Sequence, residues 1–125
     1  MAYTLAYKIS IPMSEPYHLS SREVDRYVKK GTPGAYILGS LRRGDFVPEY
    51  VGRSDSDLNG RLKRHVGERY ESFIFVDAES PNQAFELECY LYHNLQKYLD
   101  NLNHPDCPDD ADCECPVCGR VSILG

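Results

Sequence analysis

The chain has 125 residues, 42% hydrophobic and 26% charged, which excludes a disordered or collagen-like chain and suits a single domain. No apolar run approaches the roughly 18 residues of a membrane span, and the start carries no basic segment followed by an apolar one. The expectation is an intracellular protein, cytoplasmic or nucleoid-associated and not secreted, with no membrane partner. The formal charge of −5 is unevenly placed: residues 1–70 carry 12 Lys/Arg against 8 Asp/Glu, and residues 71–125 carry 2 against 11. Salt screens charge over about 10 Å at 0.1 M, so a polyanion meets the local field of a basic face and not the average.

In chain order, residues 3–11 alternate apolar and polar, with Tyr3, Leu5, Tyr7, Ile9 and Ile11 on one face, and predict a half-buried strand ended by Pro12. Ser20 and Glu23 form a capping box for a short basic helix over 21–30, broken by Gly31-Thr32-Pro33-Gly34. Two β-rich runs, 35–38 and 48–51, read as a hairpin joined by a long polar loop. Asp57 caps a predicted helix over 58–68. Residues 72–76 (Ser-Phe-Ile-Phe-Val) predict a strand buried on both faces. Ser80 as cap, Pro81 at the first helical position and Gln83 closing the box predict a helix from there to about residue 99.

Polar residues stand where core residues belong. In the 81–99 helix the apolar stripe is Ala84, Leu87, Leu91, Leu95 and Tyr98, and Glu88 lies inside it. A core-facing carboxylate must be paired, bind a metal or be protonated, because an isolated buried charge is very costly. In the 58–68 helix, Arg61 and His65 are interleaved with Leu58, Leu62 and Val66. An arginine snorkelling at the stripe edge and a satisfied core histidine explain each singly. Two helices with inward polar groups of opposite sign, beside a hairpin carrying Tyr36 and Tyr50, make a site the better reading. Both tyrosines sit in a glycine frame, Gly34-Ala35-Tyr36 and Tyr50-Val51-Gly52, where bare backbone admits close approach of another group.

These residues resemble the GIY-YIG nuclease family. Gly34-Ala35-Tyr36 stands for its Gly-Ile-Tyr and Tyr50-Val51-Gly52 for its Tyr-Ile-Gly. Arg53 follows directly, Arg61 lies eleven residues after Tyr50, His65 comes one turn later, and Glu88 falls in an Ala-x-x-x-Glu-x-x-Leu helix from Ala84 to Leu91. The departures are Ala35 and Val51 in place of isoleucines. The resemblance covers residues 34–104. It implies an α+β fold, a small three-stranded antiparallel sheet (35–38, 48–51, 72–76) flanked by helices, with residues 1–33 as a strand and helix addition and residues 105–125 as a Cys-rich tail.

The resemblance further implies a divalent-metal-dependent endonuclease that hydrolyses phosphodiester bonds in nucleic acid, with DNA the first expectation. Glu88 would hold one Mg²⁺ (or Mn²⁺), since such an ion needs only one or two carboxylates. Arg61 would clamp a phosphate oxygen and Arg53 would serve as a second cation. Tyr36, assisted by Tyr50, would act as general base. A tyrosine of ordinary pKa, about 10, needs nearby positive charge for that, and His65 is the rival base or a relay. The family asparagine would be Asn101 or Asn103, with Asn101 favoured as a substrate contact. Low intrinsic sequence specificity, or a protein partner that supplies targeting, is expected, because little chain is left for specificity. Two other readings stand beside this one: a nucleic-acid-binding module with little turnover, and a zinc-stabilised protein-interaction domain.

Four of the five cysteines, Cys107, Cys113, Cys115 and Cys118, fall within twelve residues. Cys115-Pro116-Val117-Cys118-Gly119 has the form of a zinc knuckle, and a second pair is available from Cys107 and Cys113, or from His104 and Cys107. A structural zinc is expected, with a disulfide or free thiols as the alternatives. Cys89, beside Glu88, reads as a packing residue.

Overall fold

The computed structural model describes residues 4–5, 11–101, 103–108, 113–119 and 121–122. In order, the elements are β1 (Thr4–Leu5), β2 (Tyr17–His18), α1 (Ser21–Tyr27), β3 (Gly34–Arg42), β4 (Asp45–Ser54), α2 (Leu58–Arg64), β5 (Ser72–Asp77), α3 (Pro81–Leu95), β6 (Cys113–Glu114) and β7 (Val121–Ser122). A 3-10 turn, Gln96–Tyr98, extends α3. The fold is α+β. Strands β4, β3, β5 and β2 form an antiparallel sheet in that spatial order, β1 adds parallel to β4 at the edge, and β6 pairs with β7 in a separate ribbon.

The sheet therefore has four antiparallel strands where three were expected. The fourth, β2, is two residues long and pairs Tyr17 with Phe73, too short to give an alternating pattern. Of the strand expected over 3–11, Thr4–Leu5 is paired, through Thr4–Asp45 and Leu5–Phe46; residues 3 and 6–10 lie outside the described residues.

Strand β3 is central, and residues 34–40 are buried throughout. Its two faces feed two cores. Tyr36 and Leu38 pack with Leu58 and Leu62 of α2, Val24 of α1, Val28 and Phe73. Ala35 and Ile37 pack with Ile74, Val51, and Leu91 and Leu95 of α3. Helices thus cover both sides of the sheet, and each fully buried Leu, Ile or Phe contributes about 1.5–3 kcal/mol of transfer free energy. Phe73 and Ile74 lie in different cores, as the reading of 72–76 as a doubly buried strand requires.

The hairpin loop is two residues, not the long loop expected. Arg42 pairs with Asp45, and Arg43 and Gly44 both take positive φ, 54° and 85°, the geometry whose twist matches antiparallel strands. An arginine at the first turn position hides the signal that Asn or Asp would give.

Ser20 accepts a hydrogen bond from the Glu23 N–H, and Ser80 one from the Gln83 N–H, so both caps form. The Gln83 side chain reaches back to the Glu79 N–H at 2.6 Å. The helices nonetheless stop short of the expected ends: α1 at Tyr27 and α2 at Arg64. Asp57 occupies the cap position of α2 but makes no cap bond there; its carboxylate accepts from the Gly31 N–H at 2.9 Å. Val66 and Tyr98, expected in apolar stripes, are exposed because the α-helices end before them.

Helix α3 is buried on two flanks. Ala84, Leu91 and Leu95 are buried, the last two in the sheet core, while Phe85 and Cys89 meet Cys115 of the tail in a small third cluster. That second flank explains why the single stripe at 84, 87, 91, 95 and 98 understates what α3 covers.

Candidate active site and metal group

The site forms where the β4 edge runs out of strand partners. Asp100 N–H donates to Glu49 O at 2.7 Å, and the Asn101 side chain then substitutes for a strand: its Oδ1 accepts from Val51 N–H at 2.9 Å and its Nδ2 donates to Val51 O at 2.7 Å. The next outward carbonyl, Arg53 O, accepts from Arg61 Nη1 at 3.1 Å. Beyond Asn101 the edge opens into a cleft of about 270 Å³ lined by Tyr36, Tyr50, Gly52, Arg53, Asp55, Arg61, Glu88 and Asp106. The oxygen and the nitrogen of the Asn101 side-chain amide, expected to contact substrate, are both engaged by the Val51 backbone; the residue positions β4 against the chain that follows α3.

Tyr36 lies under this cleft, opposite Gly52 in the strand register. A Cβ at residue 52 would come within 2.5 Å of Tyr36 Cζ, so the glycine is what lets the ring lie across β4. A Cβ at residue 34 would likewise meet Val76 O at 2.5 Å. The two glycines of the frame are thus set by close approach, one to a ring and one to backbone.

Tyr36 Oη is 2.8 Å from His65 Nε2, and His65 Nδ1 is 2.8 Å from Glu68 Oε1. A carboxylate only accepts, so Nδ1 carries the proton. In the neutral imidazole, Nε2 then offers its lone pair and Tyr36 Oη–H donates to it. Burial pushes the Tyr36 hydroxyl well above the usual tyrosine range, with Tyr50 adding to that and Arg61 opposing it. The Tyr50 ring lies 5.5 Å from His65, and its hydroxyl is also raised, first by burial and then by Glu88.

On the other wall, Arg53 Nη1 meets Glu88 Oε1 at 2.7 Å and Arg53 Nε meets Asp55 Oδ1 at 2.7 Å. The Arg53 and Glu88 side chains are each 12% exposed. Glu88 is thus a core-facing carboxylate that is paired. Burial raises its carboxyl above the ordinary range, and the charge and hydrogen bond of Arg53 pull it back. Arg53, expected as a cation for substrate, faces two carboxylates of its own chain. Five expected site residues, Tyr36, Tyr50, Arg53, Arg61 and Glu88, line one cleft, with His65 directly behind. Asp55, Glu68 and Asp106 were not anticipated; only Glu68, three residues after His65 and so at helical spacing, left a sequence signal.

A second group lies between α3 and the tail. The ligand atoms of His93, His104, Cys115 and Cys118 all lie within 4.8 Å of one another, a group that can hold a metal ion such as zinc. His93 Nε2 is 3.1 Å from His104 Nε2, and Cys118 Sγ is 3.4 Å from the same nitrogen. His104 Nδ1 lies 2.8 Å from Pro105 O. Burial raises the Cys115 thiol, but hydrogen bonds from the Cys118 and Val117 backbone, His104 and Cys89 outweigh it and bring the pKa to about 6. Cys89 is buried and its thiol is pushed up, first by burial and then by Cys115. Cys107 and Cys113, expected among the zinc ligands, are bonded to each other in a disulfide and stand outside the group. His93 was missed. Its signal is weak: one helical turn after Cys89 on α3.

No protein-family model matches the chain, and no curated protein or solved structure matches it significantly. Among the described residues, no helix is long and apolar enough to cross a membrane.

Proposed function

We propose that the cleft is the active site of a divalent-metal-dependent endonuclease acting on nucleic acid, DNA first. The observation that carries this reading is the convergence, around one cleft, of a buried hydroxyl hydrogen-bonded to an imidazole, two arginines and a buried glutamate. The donor set fits a hard ion such as Mg²⁺: the Glu88 carboxylate, with those of Asp55 and Asp106 lining the same walls. Held at Glu88, such an ion would supply charge neutralisation at the scissile phosphate.

The chain's own groups do the rest. Tyr36 Oη takes a proton from the attacking water while passing its own to His65 Nε2, and Glu68 holds the Nδ1–H so that the imidazole keeps its receptive nitrogen toward the tyrosine. Tyrosine and histidine thereby act in series. A buried, neutral Tyr36 is a poor base alone, and the His65 contact is what makes proton removal feasible. Arg61, anchored at Arg53 O, presents its remaining donors to a nonbridging phosphate oxygen. Arg53 pairs with Glu88, which offsets part of the cost of burying that carboxylate, and Asp55 gives Arg53 a second partner.

The basic residues concentrated before residue 70 favour a polyanionic substrate, and recognition dominated by phosphates would give binding that falls steeply with salt. A partner protein that directs the enzyme to its substrate belongs to the same proposal. The test is cleavage of plasmid, single-stranded DNA and RNA with Mg²⁺ or Mn²⁺, beside Glu88→Ala and Tyr36→Phe. Cleavage by the unaltered protein alone supports the reading. Equal cleavage by all three proteins sinks it, and metal-independent nucleic-acid binding without cleavage moves the weight to a binding module.

A further inference from the structure

We propose that His93, His104, Cys115 and Cys118 form a tetrahedral structural zinc site that bolts the tail to α3 and thereby holds Asp106 in the wall of the cleft. The four ligand atoms lie within 4.8 Å of one another, and two of their six separations come close to what the ion demands. Zinc bonds of about 2.0 Å to nitrogen and 2.3 Å to sulfur put tetrahedral ligand atoms about 3.3–3.8 Å apart. The His93–His104 and His104–Cys118 separations are 3.1 and 3.4 Å.

The orientation of the ligands points the same way. Pro105 O can only accept, so His104 carries its proton on Nδ1 and turns the bare Nε2 lone pair toward His93 Nε2. Two imidazole nitrogens facing each other across 3.1 Å, with a thiol beside them, are arranged for a shared cation. The carbonyl contact is the outer support that metal-bound histidines generally have. The knuckle is formed as well: Gly119 takes a positive φ of 74° and its N–H donates to Cys115 O at 3.0 Å.

The fold has a reason to need this bond. Among the described residues, the buried apolar cluster that α3 shares with the tail comprises Phe85, Cys89 and Cys115, with Cys113 at its margin, a small cluster for a segment rich in Pro and Asp. The anchored segment matters because Asp106, two residues after His104, lines the cleft with Glu88. That last consequence rests on the nuclease reading; the zinc assignment does not.

The full-length chain, purified under reducing conditions with zinc and then dialysed, is expected to hold one zinc per chain by elemental analysis. X-ray absorption at the zinc edge should show two sulfur and two nitrogen neighbours. That measurement needs no variant and so survives any folding failure. His93→Ala and Cys118→Ser should weaken zinc binding by more than about 100-fold, beyond the effect of outer-shell changes, while Cys107→Ser and Cys113→Ser should keep it. Four sulfur neighbours, zinc loss in Cys107→Ser with retention in His93→Ala, or no bound zinc would each overturn the assignment. Chelation should shift the amide resonances of Asp106 and Gly52; unmoved resonances would overturn the link to the cleft. None of these readings depends on cleavage, so they fail or hold separately from the nuclease proposal.

Discussion

On the flank of α3 that meets β4, the charged groups are already paired: Glu88 with Arg53, and Arg53 with Asp55. On the flank that meets the tail, two imidazole nitrogens and a thiol face one another, and the apolar cluster beside them is small. The first arrangement is held by the sheet and by its own ion pairs. Beside the second, the described residues place the small cluster of Phe85, Cys89 and Cys115. On the two proposals made above, one helix would carry two metal groups of different character, hard oxygen donors at the cleft and softer nitrogen and sulfur donors at the tail.

Breaking each side separately sharpens that contrast. The largest expected effect is on the sheet side: Glu88→Ala should lower metal-dependent cleavage by at least about 10³-fold, with the melting transition retained and zinc content unchanged. Loss of zinc in that variant would mean that the two flanks are one unit. Next comes zinc removal. A site filled at about 100 times its dissociation constant contributes about 2.7 kcal/mol, so chelation should lower Tm by about 10 °C in a chain of this size, and hydrogen exchange should locate the loss in residues 104–119 and not in β3.

Asn101→Ala comes third. It strips the partners from both Val51 groups and should cost about 1–3 kcal/mol in denaturant unfolding; a change below that range would mean that water replaces the amide. The smallest effect is a pH dependence. Because Tyr36 titrates above the ordinary tyrosine range in the folded protein, its contribution to stability is complete below pH 10 and is lost as pH rises above it, where the unfolded chain ionises first. The difference in unfolding free energy between the unaltered protein and Tyr36→Phe should therefore change by about 1.4 kcal/mol per pH unit above 10. A flat difference would show that Tyr36 ionises as freely in the fold as outside it.

How much of this was legible in the residues varies with how local the signal is. Caps at Ser20 and Ser80, the doubly buried run 72–76 and the inward placement of Glu88, Arg61 and His65 follow from spacing, because each depends on neighbours within a turn or two of helix or strand. Strand β2, the tight Arg43-Gly44 turn and the second buried flank of α3 do not, since they depend on what the chain meets elsewhere. The zinc expectation shows both cases. The knuckle cysteines Cys115 and Cys118 announce themselves by spacing, whereas the grouping of His93 and His104 with them, and not Cys107 and Cys113, is a matter of distance between α3 and the tail.

By itself the sequence determined an α+β chain whose polar residues interrupt two apolar helix faces beside a glycine-framed hairpin, and a cysteine-rich end with metal-binding chemistry. Only the tertiary structure decided that Asn101 closes the β4 edge, that Arg53 is matched to Glu88, that Tyr36 and His65 lie in hydrogen-bond contact, and that His93 of α3 comes beside His104 and Cys118 of the following chain. The reason is physical: periodicity fixes which face a side chain takes, but the partner on that face is set by packing between segments far apart in the chain.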